Sequence, residues 1–233
     1  MARLFDRNMF IMLSAIMIGV IIIIFFVADI VNRSTLDTLQ NVHEVEIKDI
    51  QSKNENFTSS FIRSTVILDQ AREDRAFGNY HFDLAFLWYQ STLSEKNSSN
   101  FELYKTRAVN NCTNAMPKYQ NAHDNFDEAK SWFNATKSYT TFPKYLEVLD
   151  IYVDLTGSGS RLMMLRYNAS EYLKYLTENL IMDVENGTVI YMENVTDILE
   201  LFNETLILIG EETETYEEYQ DEIDEYEFFD EIR

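Results

Sequence analysis

The stretch Pro117-Lys-Tyr-Gln-Asn-Ala-His-Asp-Asn-Phe-Asp-Glu-Ala-Lys-Ser-Trp-Phe133 decides the fold class of this chain. Its apolar side chains recur at steps of three and four residues, at Tyr119, Ala122, Phe126, Ala129 and Phe133. Residues at those steps lie on one face of an α-helix, whereas the faces of a strand alternate at every residue. The stretch therefore predicts a helix that buries this face against neighbouring helices.

Residues that end helices are rare in the whole chain. The 233 residues include only two prolines and six glycines, and a fold of several strands with tight turns would need more of both. We predict an all-α fold, in which one N-terminal transmembrane helix precedes an extracytoplasmic bundle of about four to five helices.

The first helix of the predicted bundle has a recognisable start. Ser34, followed three residues later by Asp37, is typical of a helix N-cap, and apolar spacing then continues to about Asp74. The first half of this stretch is rich in Glu, Lys, Gln and Asn. It is therefore too polar to lie deep in a core. Alternatively, this helix continues from the predicted membrane helix as a stalk.

A short central helix and the start of a longer one follow. Residues 83–89 are almost entirely apolar and lie between Gly78 and the polar segment 96–100, which predicts a short buried helix. The sequence Ser99-Asn-Phe-Glu102 matches a capping box and predicts the first turn of the next helix.

Proline and glycine predict where the later helices end and begin. Pro117 is expected to break or kink a helix near Met116, because it lacks an N–H donor and its ring clashes with the preceding turn. Pro143 suits the first turn of another helix. The segment Gly157-Ser-Gly-Ser160 is expected to interrupt that helix as a kink or a short joint.

Two segments near the C-terminus each leave alternatives open. Asn186-Gly187 lies between β-tolerant residues in segment 181–192, which indicates either a small hairpin or a loop that carries a glycan. The last helix is predicted to start near Asn194. Residues 211–233 carry twelve acids and one base, which is typical of a disordered tail. Their tyrosines and isoleucine nevertheless keep a helical seam that could pair, as in a coiled coil, with another helix or another copy of the chain.

One apolar segment indicates a membrane anchor. Residues 9–28 contain no charged side chain, and a helix of that length covers roughly 30 Å, the thickness of the hydrocarbon layer. A cleaved signal peptide would have a shorter core and a small-x-small site at its end. Arg3 and Arg7 precede the segment, so the positive-inside rule places the N-terminus in the cytoplasm and the rest of the chain outside the cell.

The predicted organisation has four parts. Residues 1–8 form a cytoplasmic tail, residues 9–31 a transmembrane signal-anchor helix, residues 32–193 the extracytoplasmic bundle, and residues 194–233 a C-terminal helix with an acidic tail.

N-glycosylation sequons are unusually dense after the predicted anchor. Nine Asn-x-Ser/Thr tripeptides occur, none with proline in the middle, where chance placement would give about three. No sequon precedes the segment, which supports the same orientation. The nine asparagines are Asn32, Asn56, Asn97, Asn111, Asn134, Asn168, Asn186, Asn194 and Asn203.

The predicted glycosylation sites differ in accessibility. Asn32 is too close to the predicted membrane for modification, so we expect glycans on the other eight. Asn97 and Asn186 lie in predicted loops and Asn194 at a predicted helix start. The remaining five lie on predicted helices and must point outward to carry glycans: Asn56, Asn111, Asn134, Asn168 and Asn203.

Charge and cysteine content exclude some classes of partner and of stabilisation. The net charge of −20 argues against nucleic acid and anionic lipid headgroups as partners. The single cysteine, Cys112, cannot form an intrachain disulfide, so the domain depends on its core. Dense sequons without disulfides favour an archaeal surface protein. Cys112 is expected to be a buried or partly buried thiol rather than an intermolecular bridge.

No pattern in the sequence predicts catalysis or a bound cofactor. The three histidines, His43, His81 and His123, are far apart, and no Cys-x-x-Cys, His-x-x-x-His or calcium-loop spacing occurs. A nucleophile elbow and a phosphate-binding loop are also absent from the sequence. We therefore expect that the protein is not an enzyme and that it binds no metal and no cofactor.

The sequence predicts an N-glycosylated protein held at the cell surface by a single membrane span. Its helical ectodomain would act as a structural or protein-interaction module of the envelope, with a protein partner there. Alternatively, it is similar to the four-helix ligand-binding modules of chemoreceptors and histidine kinases. That resemblance implies a sensor-type ectodomain. Since this chain has one predicted span and a short cytoplasmic tail, signalling would need a separate transducing partner.

Overall fold

The computed structural model describes the backbone of residues 2–183 and 185–226, and side chains within these ranges from residue 42 onward. The chain divides into two compact units, residues 1–53 and 54–233. Among the described residues, no helical segment has the length and apolar character of a bilayer span. The predicted span 9–28 lies outside the described side chains and remains a prediction.

Four long helices and one small hairpin make up the described chain, as expected for an all-α protein. A single turn of 3₁₀ helix, Lys137–Tyr139, follows the second helix. The helices are α1 Ala2–Ser94, α2 Ser98–Thr136, α3 Pro143–Glu178 and α4 Thr196–Glu225, and the strands are β1 Leu180–Asp183 and β2 Thr188–Tyr191.

In the first unit, residues 42–53 form an exposed part of α1. Ion pairs one helical turn apart join Lys48 to Glu44 at 2.9 Å and Lys53 to Asp49 at 2.8 Å. Such pairs support a solvated helix by a few tenths of a kcal/mol each. Polar composition and exposure therefore agree with the expectation that this stretch is not part of a deep core.

In the second unit, neighbouring helices run antiparallel. The Thr136 hydroxyl donates to Ser60 Oγ at 2.8 Å, and Lys118 Nζ lies 2.8 Å from Asp74 Oδ1. Positions therefore increase along α1 as they decrease along α2. The same reversal holds between α2 and α3 and between α3 and α4.

The fourth helix packs against the first and closes the bundle. Arg72 Nε donates to the Tyr216 hydroxyl at 3.3 Å, and the rings of Phe86 and Phe202 lie 6.3 Å apart. This pairing is again antiparallel. The second unit is therefore an up-down-up-down four-helix bundle, which short connections permit.

The core lies where the spacing of the opening stretch places it. All five of its stripe residues, Tyr119 to Phe133 at the predicted steps, are fully buried. Phe133 stacks on Tyr152 of α3 with ring centroids 4.5 Å apart, and Phe126 meets Tyr216 of α4 edge to face at 6.0 Å. Burial of large aromatic area is the main stabilising contribution here.

Two predicted boundaries in α1 are wrong. The helix does not begin at Ser34 or end near Asp74, and residues 83–89 are not a separate short helix, because α1 runs from Ala2 to Ser94. Gly78 does not interrupt it. A Cβ atom at Gly78 would lie 2.6 Å from Cε1 of Tyr119, so glycine permits α2 to approach α1 closely.

The start of α2 is close to the prediction, but its cap is a different residue. The N-cap is Asn97, whose Oδ1 accepts from the backbone N–H of Ser99 at 2.9 Å and of Asn100 at 3.4 Å. Ser99 lies inside the first turn. An asparagine cap satisfies helix donors as well as the predicted serine would, so the capping-box pattern misplaced the cap by two residues.

The predicted break at Pro117 and joint at 157–160 are also wrong, and the alternative of a kink at either place stays a prediction. Pro117 lies inside α2, and α3 continues through the four small residues, all of which are buried. A Cβ atom at Gly159 would lie 2.6 Å from Cε1 of Phe126. Tertiary packing thus outweighs the local cost of proline and glycine in a helix. Pro143 occupies the first turn of α3, as predicted.

Of the two alternatives for segment 181–192, the structure shows the hairpin. Leu180 pairs with Tyr191 and Asp183 with Thr188, and Gly187 has a φ of +64°, which favours glycine. The Tyr89 and Tyr191 hydroxyls share a hydrogen bond that fastens the hairpin to α1.

The acidic segment is helical as far as it is described. α4 continues past Gly210 to Glu225, with Tyr216 fully buried and Tyr219 and Ile223 half-buried against the core. The predicted seam therefore packs onto the bundle of its own chain. Residues 227–233 lie outside the described residues.

Candidate functional site

A small polar cleft lies between α1 and α4. It has a volume of 270 Å³, and we call it the arginine cleft after two of its residues. Helices α1 and α4 both contribute polar side chains to it. Its lining consists of Arg72, Arg75, Ala76, Asn79, Tyr216 and Gln220.

Tyr216 organises the two arginines of the cleft. Its hydroxyl accepts from Arg72 Nε at 3.3 Å, and Cζ of Arg75 lies 4.5 Å from its ring centroid. A guanidinium at that distance from an aromatic ring is attracted to the negative face of the ring. The buried ring thus holds two positive charges together at one site.

A third arginine, Arg166 of α3, adds positive charge behind the cleft. Burial lowers the pKa of Arg75, and the charge of Arg166 lowers it further against the opposing effect of Tyr216. Arg166 also lowers the pKa of Tyr119, through its charge and a side-chain hydrogen bond. The Tyr119 hydroxyl donates to Asn79 Oδ1 at 3.0 Å. Burial nevertheless raises the pKa of Tyr119 to about 12, so the phenol stays neutral at pH 7.

The positive charge in this region is poorly compensated. Arg166 Nε is buried, with no hydrogen-bond partner among the described residues. In that same part of the chain, neither Arg75 nor Arg166 has a carboxylate within salt-bridge distance. Among the described residues, Asp69 is the only carboxylate within salt-bridge distance of Arg72, at 3.5 Å, and the Asp69 side chain is 74% exposed.

A second, larger groove of 560 Å³ lies at the junction of α2, α3 and α4. We call it the histidine groove. His123 Nδ1 lies 2.9 Å from Ser160 Oγ and 3.1 Å from the Ser160 carbonyl, and its Nε2 lies 3.7 Å from Asp127 Oδ2. The residue types are those of a catalytic triad.

The geometry of the histidine groove does not favour nucleophilic catalysis. If Nδ1 donates to the carbonyl of Ser160, that nitrogen cannot accept the proton of the serine hydroxyl. Ser160 is also 94% buried on a helix, which leaves little of its side chain open to the groove. We therefore interpret His123 as a residue that joins α2 to α3.

The charges at the other side of this groove are paired within the protein. Arg161 Nη2 lies 2.8 Å and its Nε 3.1 Å from the two carboxylate oxygens of Glu212, and the Ser158 hydroxyl donates to the same carboxylate at 2.6 Å. Burial opposes ionisation of Glu212, but the hydrogen bonds of Arg161 and Ser158 lower its pKa below the usual value. Such bidentate pairing fastens α3 to α4.

The two histidines of the second unit, His81 and His123, contact different residues. His81 contacts Asn111 at 3.1 Å, and His123 contacts Ser160. Within the described residues, no three His, Cys, Asp or Glu side chains are placed to hold a metal ion. Cys112 is fully buried, in agreement with the prediction of a buried or partly buried thiol. Burial raises the pKa of this thiol to about 12.

The sequon asparagines lie mostly on the surface. Two of the eight with described side chains are half-buried, Asn111 and Asn168, and the Asn111 amide donates to the Arg107 carbonyl at 2.9 Å. Asn32 lies outside the described side chains. The exposed ones are Asn56, Asn97, Asn134, Asn186, Asn194 and Asn203.

No protein-family model, curated protein or solved structure shows a significant match to this chain.

The sequence patterns did not point to the arginine cleft. A usable signal was present, since Arg72, Arg75 and Asn79 follow Leu68 and precede Phe82 at the steps of the core-facing stripe. Polar residues at positions that should be apolar either form a network or serve a function. Arg166 lies likewise between buried Met163 and Ala169.

Proposed function

We propose that this protein is a single-pass, N-glycosylated surface protein whose helical ectodomain is a structural or protein-interaction module of the envelope. The apolar segment 9–28, the charge bias around it and the sequon density support the anchor and the orientation. Six exposed sequon asparagines support the glycosylation.

The observation that carries the interaction role is an apolar stripe on the outer surface of α1. Its members are spaced so that they share one face of the helix, and each is about half exposed or more. We call it the α1 stripe. It consists of Ile62, Val66, Phe77, Tyr80 and Leu87.

The α1 stripe is also free of sequons. No sequon occurs between Asn56 and Asn97. This stretch of α1 therefore carries no N-linked glycan of its own that would compete with a partner for the stripe. Exposed apolar residues that line up on one face are typical of protein-interaction surfaces. The partner that fits is an envelope protein with an apolar surface of its own.

Site-specific photocrosslinking of the full chain in its native membranes tests this role. A photoreactive residue at Phe77 or Tyr80 should give a crosslink to one discrete protein. The same residue at Glu204, which is exposed beside the Asn203 sequon, should not. Equal crosslinking at all three positions, or none at any, would contradict the interaction role. Mass spectrometry of intact glycopeptides tests the surface location, which unmodified asparagines at all eight sites would refute.

A second function is favoured by the arginine cleft. A sensor-type, ligand-binding ectodomain requires a polar cleft between the helices of its bundle. A bundle that only separates two partners does not require such a cleft. This ectodomain would work with a separate transducing partner. Ligand-dependent change in the crosslinks of the α1 stripe would distinguish it from a purely structural module.

A further inference from the structure

We propose that the arginine cleft binds a small oxyanion, either the carboxylate of a small organic acid or a tetrahedral phosphate or sulfate. This inference rests on the ligand-binding function proposed above and gives that function a ligand class. It depends on neither the membrane anchor nor the glycans. The two sources share one chemistry, oxygens that accept hydrogen bonds from guanidinium groups.

Positive charge is concentrated at the arginine cleft. Three guanidinium groups, of Arg72, Arg75 and Arg166, face one region of a chain whose net charge is −20. Among the described residues, Asp69 lies beside Arg72 but largely in solvent, exposed Glu217 acts weakly on Arg75, and Asp83 acts on Tyr119 beside Arg166. Other acids occur nearby in the sequence, but among the described residues none lies within salt-bridge distance of Arg75 or Arg166, which leaves a local excess of positive charge.

The arginines of the cleft also have hydrogen-bond donors that a ligand can use. Arg166 does not line the cleft, but its charge lowers the pKa of Arg75 and so adds to the positive charge that a ligand in the cleft would meet. Arg75 is held against the ring of Tyr216 by its charge, and a guanidinium held in that way keeps N–H donors for a second partner. An anion in the cleft would compensate this positive charge.

The neutral groups of the cleft supply further donors. Because Asn79 Oδ1 already accepts from Tyr119, its amide N–H groups are directed elsewhere. Gln220 of α4 offers a second amide on the opposite wall. A cleft of 270 Å³ excludes large ligands, so these donors suit a compact anion.

Packing alone does not account for the arrangement. A cluster of Arg72, Arg75 and Tyr216 would join α1 to α4 without any ligand, but among the described residues its only carboxylate partner is Asp69 at Arg72, which is 74% exposed. Replacing such a cluster with apolar residues would be the cheaper way to join two helices. An external anion explains why positive charge is kept there.

Anion-dependent thermal unfolding of the full-length protein in detergent is the test. The melting temperature is followed by circular dichroism at pH 7 and constant ionic strength, while chloride is replaced by phosphate, sulfate, acetate or succinate. At least one oxyanion should raise it saturably. A response to phosphate or sulfate alone assigns a tetrahedral ligand, and a response to acetate or succinate alone assigns a carboxylate. No response beyond that of chloride overturns the proposal.

Variants locate the site. Arg75→Gln and Arg72→Gln should each raise the apparent dissociation constant of the responding anion about tenfold or more, since each removes a charge-assisted hydrogen bond. Arg107→Gln is the matched control, because Cζ of Arg107 lies 4.6 Å from the Trp88 ring, much as Arg75 lies against Tyr216. An equal loss in the Arg107 variant would overturn the proposal.

A third variant guards against simple misfolding. Asn79→Asp keeps an acceptor for the Tyr119 hydroxyl and adds a carboxylate beside the arginines. It should raise the melting temperature without added anion and abolish the anion response. A variant that lowers the melting temperature and keeps the full response would overturn the proposal. Crosslinking at the α1 stripe is measured separately, so either hypothesis can fail without the other.

Discussion

The arginine cleft and the histidine groove are two depressions in one bundle, and they treat positive charge differently. In the histidine groove, Arg161 is neutralised by a bidentate carboxylate of Glu212, which Ser158 also stabilises. In the arginine cleft, Arg75 contacts a neutral phenol ring and has no carboxylate within salt-bridge distance in the described chain. A closed set of charges joins helices, whereas an open set can accept a ligand.

Both depressions lie beside a close approach of two helices at a glycine, and disrupting these approaches should have the largest effect. Gly78→Ala and Gly159→Ala each place a Cβ 2.6 Å from a buried ring, of Tyr119 and Phe126. We expect each to lower the free energy of unfolding by about 1–3 kcal/mol in urea titrations. Gly210→Ala is the control, since nothing lies within 4 Å of its Cβ, and should stabilise by about 0.5–1 kcal/mol. Equal effects at all three would contradict the packing argument.

Opening the closed set of charges should cost less. Glu212→Gln replaces a charge-assisted pair by neutral hydrogen bonds and should lower the free energy of unfolding by about 1–2 kcal/mol at pH 7. The folded-state pKa of Glu212 is depressed, so its contribution is present above the ordinary pKa of about 4.5 and is lost as pH falls through the folded value. Stability of the wild type should therefore fall below that pH more steeply than stability of the variant. Parallel pH profiles would disprove it.

The arginines of the two sites should respond oppositely to removal. Arg166→Met removes a guanidinium whose buried Nε has no hydrogen-bond partner among the described residues, and the Tyr119 hydroxyl that interacts with Arg166 keeps its bond to Asn79. The variant should leave the anion-free protein unchanged or stabilise it by up to about 1 kcal/mol. Arg161→Met deletes the partner of Glu212 and should destabilise by about 1 kcal/mol. Chemical unfolding of both variants in chloride buffer gives the comparison. If Arg166→Met were the more destabilising, the charge of the cleft would be structural.

The smallest effect should come from the serine of the histidine groove. Ser160→Ala removes one hydrogen bond to His123 and should change the free energy of unfolding by about 1 kcal/mol or less. It should also leave the hydrolysis of an activated ester by the purified protein unchanged. Loss of a measurable esterase activity in this variant would reverse our interpretation of the groove.

Local patterns predicted the helices well and their ends less well. The stripe from Tyr119 to Phe133 was predicted residue by residue, because helical periodicity is a property of consecutive residues. Gly78, Pro117 and Gly157 were expected to interrupt helices, and none does. Glycine and proline favour a break only by a few kcal/mol, and contacts with distant helices outweigh that preference.

The arginine cleft could not be predicted in the same way. Arg72 and Arg75 lie one turn apart among acids, a spacing equally typical of a solvated helix face. Their role depends on Tyr216, which is 144 residues away from Arg72 and reaches it only because α4 returns beside α1.

The sequence by itself determined the helical class, the buried stripe of α2, the apolar segment 9–28 and the positions of the sequons, because each is written in neighbouring residues. Only the tertiary structure decided that Gly78 and Gly159 are sites of close helix approach, that the acidic segment to Glu225 packs on the bundle, and that two arginines of α1 meet a tyrosine of α4. Those features arise from contacts between residues far apart in the chain. Such contacts depend on the pairing of whole helices, which no single stretch specifies.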